Sequence, residues 1–310
     1  MGNARKSGKK LKEELEVIAW QGWIIPVLPD WRPIEIDGDY CRGKMMIGSS
    51  SVPVMQVKWW RPQEKNFFAT EWIAARIREM KTFPSENPPV PADFAAAGWI
   101  DELEFKEDLT KTIWYGFAEK AGVVIEIVTT SIADKNTREL IKRKIIPGLK
   151  VTPEGAPSKW CLYKIAFTVP EGYVLKRKHL YSGDIALEFA NSAKDILLVR
   201  QVYPAELALT RRTMKEWLNH PPFKTRRKLR QGKDTEWKPE IKNIAEGIMR
   251  SGRKCIAFPL QWLFPKGYKA LIAKDSELDR LLIAEKVTSG VPDFEELEEC
   301  IRSMNWSTKC

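Results

Sequence analysis

The chain says the same thing twice, and this constrains its fold more than any single residue does. Trp20 to Trp60 and Trp160 to Val202 run in parallel. Trp20 answers Trp160, Pro29-Asp30-Trp31 answers Pro170-Glu171-Gly172-Tyr173, Gly43 answers Gly183, and Val57-Lys58 answers Val199-Arg200. Further on, VVIEIVTTS (123–131) lies over LLIAEKVTS (281–289) without a gap. Two diverged copies of one domain are the simplest reading, and 310 residues allow two domains of ordinary size. The expected division is a charged tail over 1–18, a first repeat over 19–150 and a second over 151–310. The offset between copies grows from about 141 to about 158 residues, so the second copy carries an insertion. It falls at 221–252, where the chain spends about thirty-five residues on a connection that takes about fifteen in the first copy.

Periodicity gives the elements. Residues 19–28 read as one strand closed by Pro29-Asp30, and 44–48 with 52–60 as a hairpin with one buried face. Residues 69–81, with Trp72, Ile73, Ile77 and Met80 on one side, predict an amphipathic helix. Strands are expected over 99–105, 112–119 and 123–130, then a helix capped by Asp134 or Asn136 and ended by Pro147-Gly148. The second copy repeats this order over 160–169, 184–190 and 195–202. A helix follows, begun by Pro204 and using Leu207, Met214, Trp217 and Leu218. Strands at 255–262, 269–274 and 280–288 and a helix over 294–304 complete it. Within the insertion, 239–250 has the spacing of a short amphipathic helix. The fold class expected is α+β, two tandem α/β/α-sandwich-like domains, each an antiparallel sheet backed by helices.

This order of elements, with the echoes at 27–31, 123–131 and 294–304, resembles the PsbP-like fold. That superfamily includes a photosystem II extrinsic subunit, a Ran-binding import factor and chaperones of Rhs effectors. The resemblance covers nearly the whole chain and implies a binding role rather than catalysis. It transfers no individual residue.

Motifs for chemistry are sparse. His179 and His220 stand about forty residues apart, with no Cys or carboxylate at ligand spacing, and His220 reads as an exposed helix-end residue. No G-x-S-x-G, Walker loop or G-x-G-x-x-G occurs. Asp37 with Asp39, and Asp101 with Glu102 and Glu104, read as solvated turns and strand faces. The expectation is therefore no catalytic residue, no metal and no cofactor. Cys41, Cys161, Cys255, Cys300 and Cys310 are odd in number and lack CxxC spacing, which predicts free thiols in a reducing cytoplasm. No apolar run approaches a bilayer span, so membrane insertion is not expected.

Charge carries the functional reading. The net charge is +10, and it is shared unevenly. Residues 1–150 hold 23 Lys and Arg against 21 Asp and Glu, whereas 151–310 hold 28 against 20. Arg211, Arg212, Lys215, Lys224, Arg226, Arg227, Lys228, Arg230 and Lys233 are interrupted only by Glu216. Trp237 follows inside the insertion, where exposure is expected. Of the 13 tryptophans, Trp20, Trp72, Trp114, Trp160 and Trp217 are assigned to the core, and one of the adjacent pair Trp59 and Trp60 must leave it. These features predict a protein-binding, scaffold or chaperone-like protein that presents the basic insertion and Trp237 to an acidic protein partner. The alternative is a nucleic-acid-binding protein using the same cations on phosphates.

Overall fold

The computed structural model describes residues 15–50, 52–64, 66–80, 87–105, 109–163, 165–223, 232–254 and 266–305. Strand dominates helix throughout. In the first half, β1 (Glu16–Trp20) and β2 (Trp23–Val27) form a hairpin. The run expected as one strand is broken because Gln21 and Gly22 take φ of 51° and 82°, a pair of left-handed residues that reverses the chain. A meander of β3 (Trp31–Gly38), β4 (Arg42–Ser49) and β5 (Val52–Trp60) leads to α1 (Ala69–Glu79). A second meander follows, β6 (Ala96–Phe105), β7 (Leu109–Ala118) and β8 (Val123–Thr129). Asp134 then caps α2 (Lys135–Leu140) by accepting the Thr137 N–H at 2.7 Å, as its spacing predicts. The helix widens into a π turn over Ile141–Ile145, tightens to a 3-10 turn over Ile146–Gly148 and delivers the short β9 (Lys150–Val151).

The second half follows the same order: β10 (Ser158–Leu162) and β11 (Ile165–Val169), then β12 (Val174–Tyr181), β13 (Asp184–Ala190) and β14 (Ile196–Val202). Two short helices, α3 (Ala205–Arg211) and α4 (Met214–Leu218), replace the one expected helix. The extra strand β15 (Gly232–Trp237) precedes β16 (Ile244–Lys254), β17 (Lys266–Asp275), β18 (Arg280–Thr288) and α5 (Phe294–Asn305). The short helix expected over 239–250 is instead largely β16. Its Ile248 and Arg250 pair across to Ile272 and Ala270.

Among the described residues all strand pairs are antiparallel and form three sheets, ordered β3-β4-β5-β8-β7-β6, β12-β13-β14-β18-β17-β16-β15 and β11-β10-β1-β2-β9. The expected class of two α/β/α-sandwich-like domains is therefore wrong. The fold is β-rich, and its third sheet is built from both halves. Its seam is the pairing of Ala19 with Cys161, and beside it Trp20 and Trp160 meet edge to face with ring centroids 5.1 Å apart. Alternate residues of this shared sheet, Ile18, Trp20, Trp23 and Ile25 from one hairpin and Trp160, Leu162, Ile165 and Phe167 from the other, enter a single core. That core also takes the inward faces of both large sheets, Ile141, Ile145 and Ile146 from the turns that continue α2, and the buried side of α5. Trp20, Trp114, Trp160 and Trp217 are buried, and Trp72 is half-buried against Trp60 and Tyr115. Trp59 is buried while Trp60 is half-exposed, as strand alternation requires.

Register corrects one sequence echo. Val57 pairs with Ile127, and Val199 pairs with Ala284, so matching Val57 to Val199 sets residue 127 against 284 rather than 285. Val123, Ile125 and Ile127 face the shared core, as do Leu282 and Ala284, whereas Leu281 and Ile283 face α3 and α4. A slip of one residue turns every side chain to the opposite face, so the gapless nine-residue match does not align equivalent positions.

The cysteine expectation also changes. Cys41 and Cys300 are free, but Cys161 is disulfide-bonded, its partner lying outside the described residues. Among the described residues no helix is long and apolar enough to cross a membrane.

Candidate partner surface of the second half

Of the ten residues predicted to bind a partner, Lys224, Arg226, Arg227, Lys228 and Arg230 lie outside the described residues. The rest divide into three situations. Arg211, Arg212 and Lys215 come together where α3 ends and α4 begins. The corner is set by a capping box: the Thr213 hydroxyl accepts the Glu216 N–H at 3.3 Å, and the Glu216 carboxylate accepts the Thr213 N–H at 2.7 Å. These hydrogen bonds hold the Glu216 carboxyl below its ordinary pKa. Arg211 and Lys215 are exposed, and Arg212 lies over the Trp217 ring at 5.3 Å. None of the three makes an ion pair with a described residue.

Lys233 is exposed on β15 but stands apart from this corner. It shares strand parity with Trp237, whereas Asp234 turns to the opposite face, toward α4. Trp237 contradicts its expected exposure. It is 8% exposed and packs edge-on against Phe294 of α5 at 6.0 Å. Gly247 opposite leaves room for the indole, since a Cβ there would come within 2.7 Å of it. The described part of the insertion thus supplies the edge strand β15 and most of its neighbour β16, and its tryptophan serves the core.

Arg250 locks the corner to that strand. It is 4% exposed, donates from Nη2 to Asp234 at 2.9 Å and to the Lys215 carbonyl at 3.3 Å, and also reaches the Asn219 side chain. The Arg250 hydrogen bond depresses the Asp234 pKa, outweighing the opposing effect of partial burial. On the other side of Trp217, Arg200 is 2% exposed and grips both oxygens of Asp184, at 2.7 and 2.6 Å. It also donates to the His220 carbonyl at 2.7 Å.

Sequence reasoning missed two features here. His179 does find a carboxylate, with Nε2 3.7 Å from Asp184, but both Asp184 oxygens are already taken by Arg200. The His179 ring lies against the exposed Tyr181, with centroids 4.4 Å apart, and His220 is exposed as expected. The second feature is apolar. Tyr181, Tyr203 and Leu207 are 67%, 55% and 52% exposed. Leu207, assigned inward from its spacing, points out because Ala205 and Ala208 are the residues of α3 that meet the sheet. The Tyr203 N–H donates to the Gly183 carbonyl at 2.8 Å, which seats Tyr203 beside the turn that carries Tyr181. Leu207 then stands one helical turn before Arg211.

Among the described residues no group of three or more His, Cys, Asp or Glu is placed to hold a metal ion. Asp37 and Asp39 accept backbone N–H groups within their turn. Burial, with help from Glu154, raises the Cys41 thiol, which disfavours the thiolate. Comparison with protein families, curated proteins and solved structures returns no match.

Proposed function

We propose that this chain is a binding protein, not an enzyme, and that it engages a protein partner through the face of Tyr181, Tyr203 and Leu207 bordered by Arg211, Arg212 and Lys215. One observation carries the reading: three large apolar side chains, each more than half exposed, adjoin cations that have no ion-pair partner among the described residues. Tyr and Arg around an apolar centre are the residue types that dominate protein interfaces, and acids on the partner would complement the rim. Trp237 has no part in this surface. The partner expected is an apolar segment with acidic flanks.

A nucleic-acid partner would use the same cations but not the apolar centre. The two readings separate by pull-down from native lysate with and without nuclease, comparing wild type with Tyr203→Ala/Leu207→Ala and with Arg211→Ala/Arg212→Ala/Lys215→Ala. Loss of the captured protein in both variants supports the protein reading. Retention by the apolar variant, combined with low-salt DNA or RNA binding that weakens steeply as salt rises, replaces it with the nucleic-acid reading. Retention by both variants removes this face from the function.

A further inference from the structure

The helices that close the two halves occupy matching places and carry opposite charge. Asp134 accepts a backbone N–H at the start of α2, and Asp293 does so at the start of α5. With these two aligned, Ile141 and Ile145 fall on Cys300 and Met304, and all four are buried. Outward, the segment 134–148 holds five cations, Lys135, Arg138, Lys142, Arg143 and Lys144, against two acids. The segment 293–305 holds five acids, Asp293, Glu295, Glu296, Glu298 and Glu299, against one cation, Arg302, which pairs with Glu298 and Glu299, while Glu296 pairs with Lys286. The same alignment brings Ile132 onto Val291, two residues before each cap, and both are exposed, Val291 by 86%.

The two surfaces also differ in shape. Beside α2 lies an open hollow of about 720 Å³ with Leu28 and Leu140 in its lining and Lys135, Arg143 and Lys144 around it, against the single acid Glu139, which pairs with Arg143 at 2.7 Å. Beside α5, Val291 projects from a loop that continues into Asp293 and Glu295. An apolar knob with an acidic surround matches an apolar-floored hollow with a cationic rim in both polarity and charge.

We propose that the occupant of the α2 hollow is the Val291 loop and α5 surface of a second copy of this chain. With one donor and one acceptor surface on each molecule, two copies form a closed dimer where both contacts are made reciprocally; otherwise the contact is head-to-tail and builds a ring where the rotation closes and an open filament where it does not. The link joins α2 to α5 between molecules as β1 joins β10 within one. It is independent of the Tyr203 face and places no demand on it.

The test is sedimentation velocity of the full chain over a hundredfold concentration range, at about 30 mM and about 500 mM salt, where screening lengths differ severalfold. Species larger than the monomer should grow with concentration and shrink at high salt. Arg143→Glu/Lys144→Glu, Glu295→Lys/Glu299→Lys and Val291→Ser should each weaken association at least tenfold, with circular dichroism and melting temperature checking that each variant folds. An equimolar mixture of the two charge-reversed variants should associate again as pairs, because the unaltered acidic α5 of the first meets the unaltered basic α2 of the second. A monomeric wild type at every concentration overturns the proposal. So does association that survives both reversals and Val291→Ser, or a mixture that stays monomeric. Val291→Ser changes only an exposed side chain, so its result stands even where a reversed helix frays.

Discussion

Matching rows of residues cross the outer faces of the two large sheets, and they are chemically unlike. In the first half, successive cross-strand partners are Glu35, Met46, Gln56, Val128, Ile113 and Ile100. In the second they are Arg177, Glu188, Leu198, Glu285, Ala270 and Arg250, and the row then continues to Asp234. Ile100 is buried with Ile73 and Ile77 beneath the eleven-residue α1. Arg250 is the counterpart of Ile100 and is nearly as buried, yet it carries a charge. The difference comes with β15, which has no partner in the first half and supplies the Asp234 carboxylate. A buried guanidinium is tolerated only where its charge is met and its donors are filled. The inserted strand, the replacement of one helix by two and the exchange of an isoleucine for an arginine are therefore one structural change.

The first way to break this comparison is to ask whether the halves behave as separate bodies at all. The Trp20–Trp160 contact lies at the seam of the shared sheet, so Trp20→Ala and Trp160→Ala should each cost about 3–5 kcal/mol. Both should lower a single cooperative transition. Calorimetry showing two transitions, only one of them moved by each substitution, would show that the shared sheet does not couple the halves.

A comparable effect is expected at Arg250. Arg250→Ile imitates the first half but strands Asp234, and should cost about 3–5 kcal/mol, toward the lower end because Asp234 keeps contact with water. Arg250→Ile with Asp234→Leu removes both charges and should recover most of that loss. Failure of the double substitution to recover stability in urea would mean that the hydrogen bonds to Asn219 and to the Lys215 carbonyl, rather than the ion pair, hold the corner. At the same corner, Thr213→Ala removes the α4 cap and should cost about 1 kcal/mol.

The Asp234–Arg250 pair also gives the second half a pH dependence. Asp234 titrates below its ordinary value in the folded protein, so its stabilising contribution is present above the unfolded value of about 3.9 and is lost as pH falls through the folded value. Urea midpoints of wild type and Asp234→Asn should differ near neutrality and converge in acid below about pH 4. A gap that stays constant would remove Asp234 as its source.

How much of this was legible depends on where each residue points. Elements with one buried and one solvated face, such as α1, β5 and α5, carry their periodicity in the sequence, and β8, buried on both faces, shows instead as a short apolar β-branched run. The edge strands β3 and β12 were not seen, because WRPIEIDG and VLKRKHLY bury little and their charges hide the alternation. The segment 239–250 was misread because Ile241, Ile244 and Ile248 fit a helix, while the β17 edge that recruits this stretch into the sheet is a tertiary fact. The same blindness moved Trp237 to the surface and Leu207 to the core. A composition shift toward cations says that a region is exposed, but it cannot say which side of a strand faces inward. The apolar part of the candidate surface, Tyr181, Tyr203 and Leu207, was illegible for that reason.

The smallest expected effect separates surface from scaffold most sharply. Arg211, Arg212 and Lys215 sit on the same corner as Arg200 and Arg250, yet only the latter two fill their donors from within the fold. Neutralising the three exposed cations to Ala should shift stability by no more than about 0.5 kcal/mol each. Arg212 should contribute the most of the three, since its guanidinium covers the Trp217 ring. A larger loss at Arg211 or Lys215, measured by urea unfolding, would show that these cations hold the α3–α4 corner together and would withdraw them from the partner surface. A negligible loss leaves them without a structural task, so that what they do is limited to what they present to a partner.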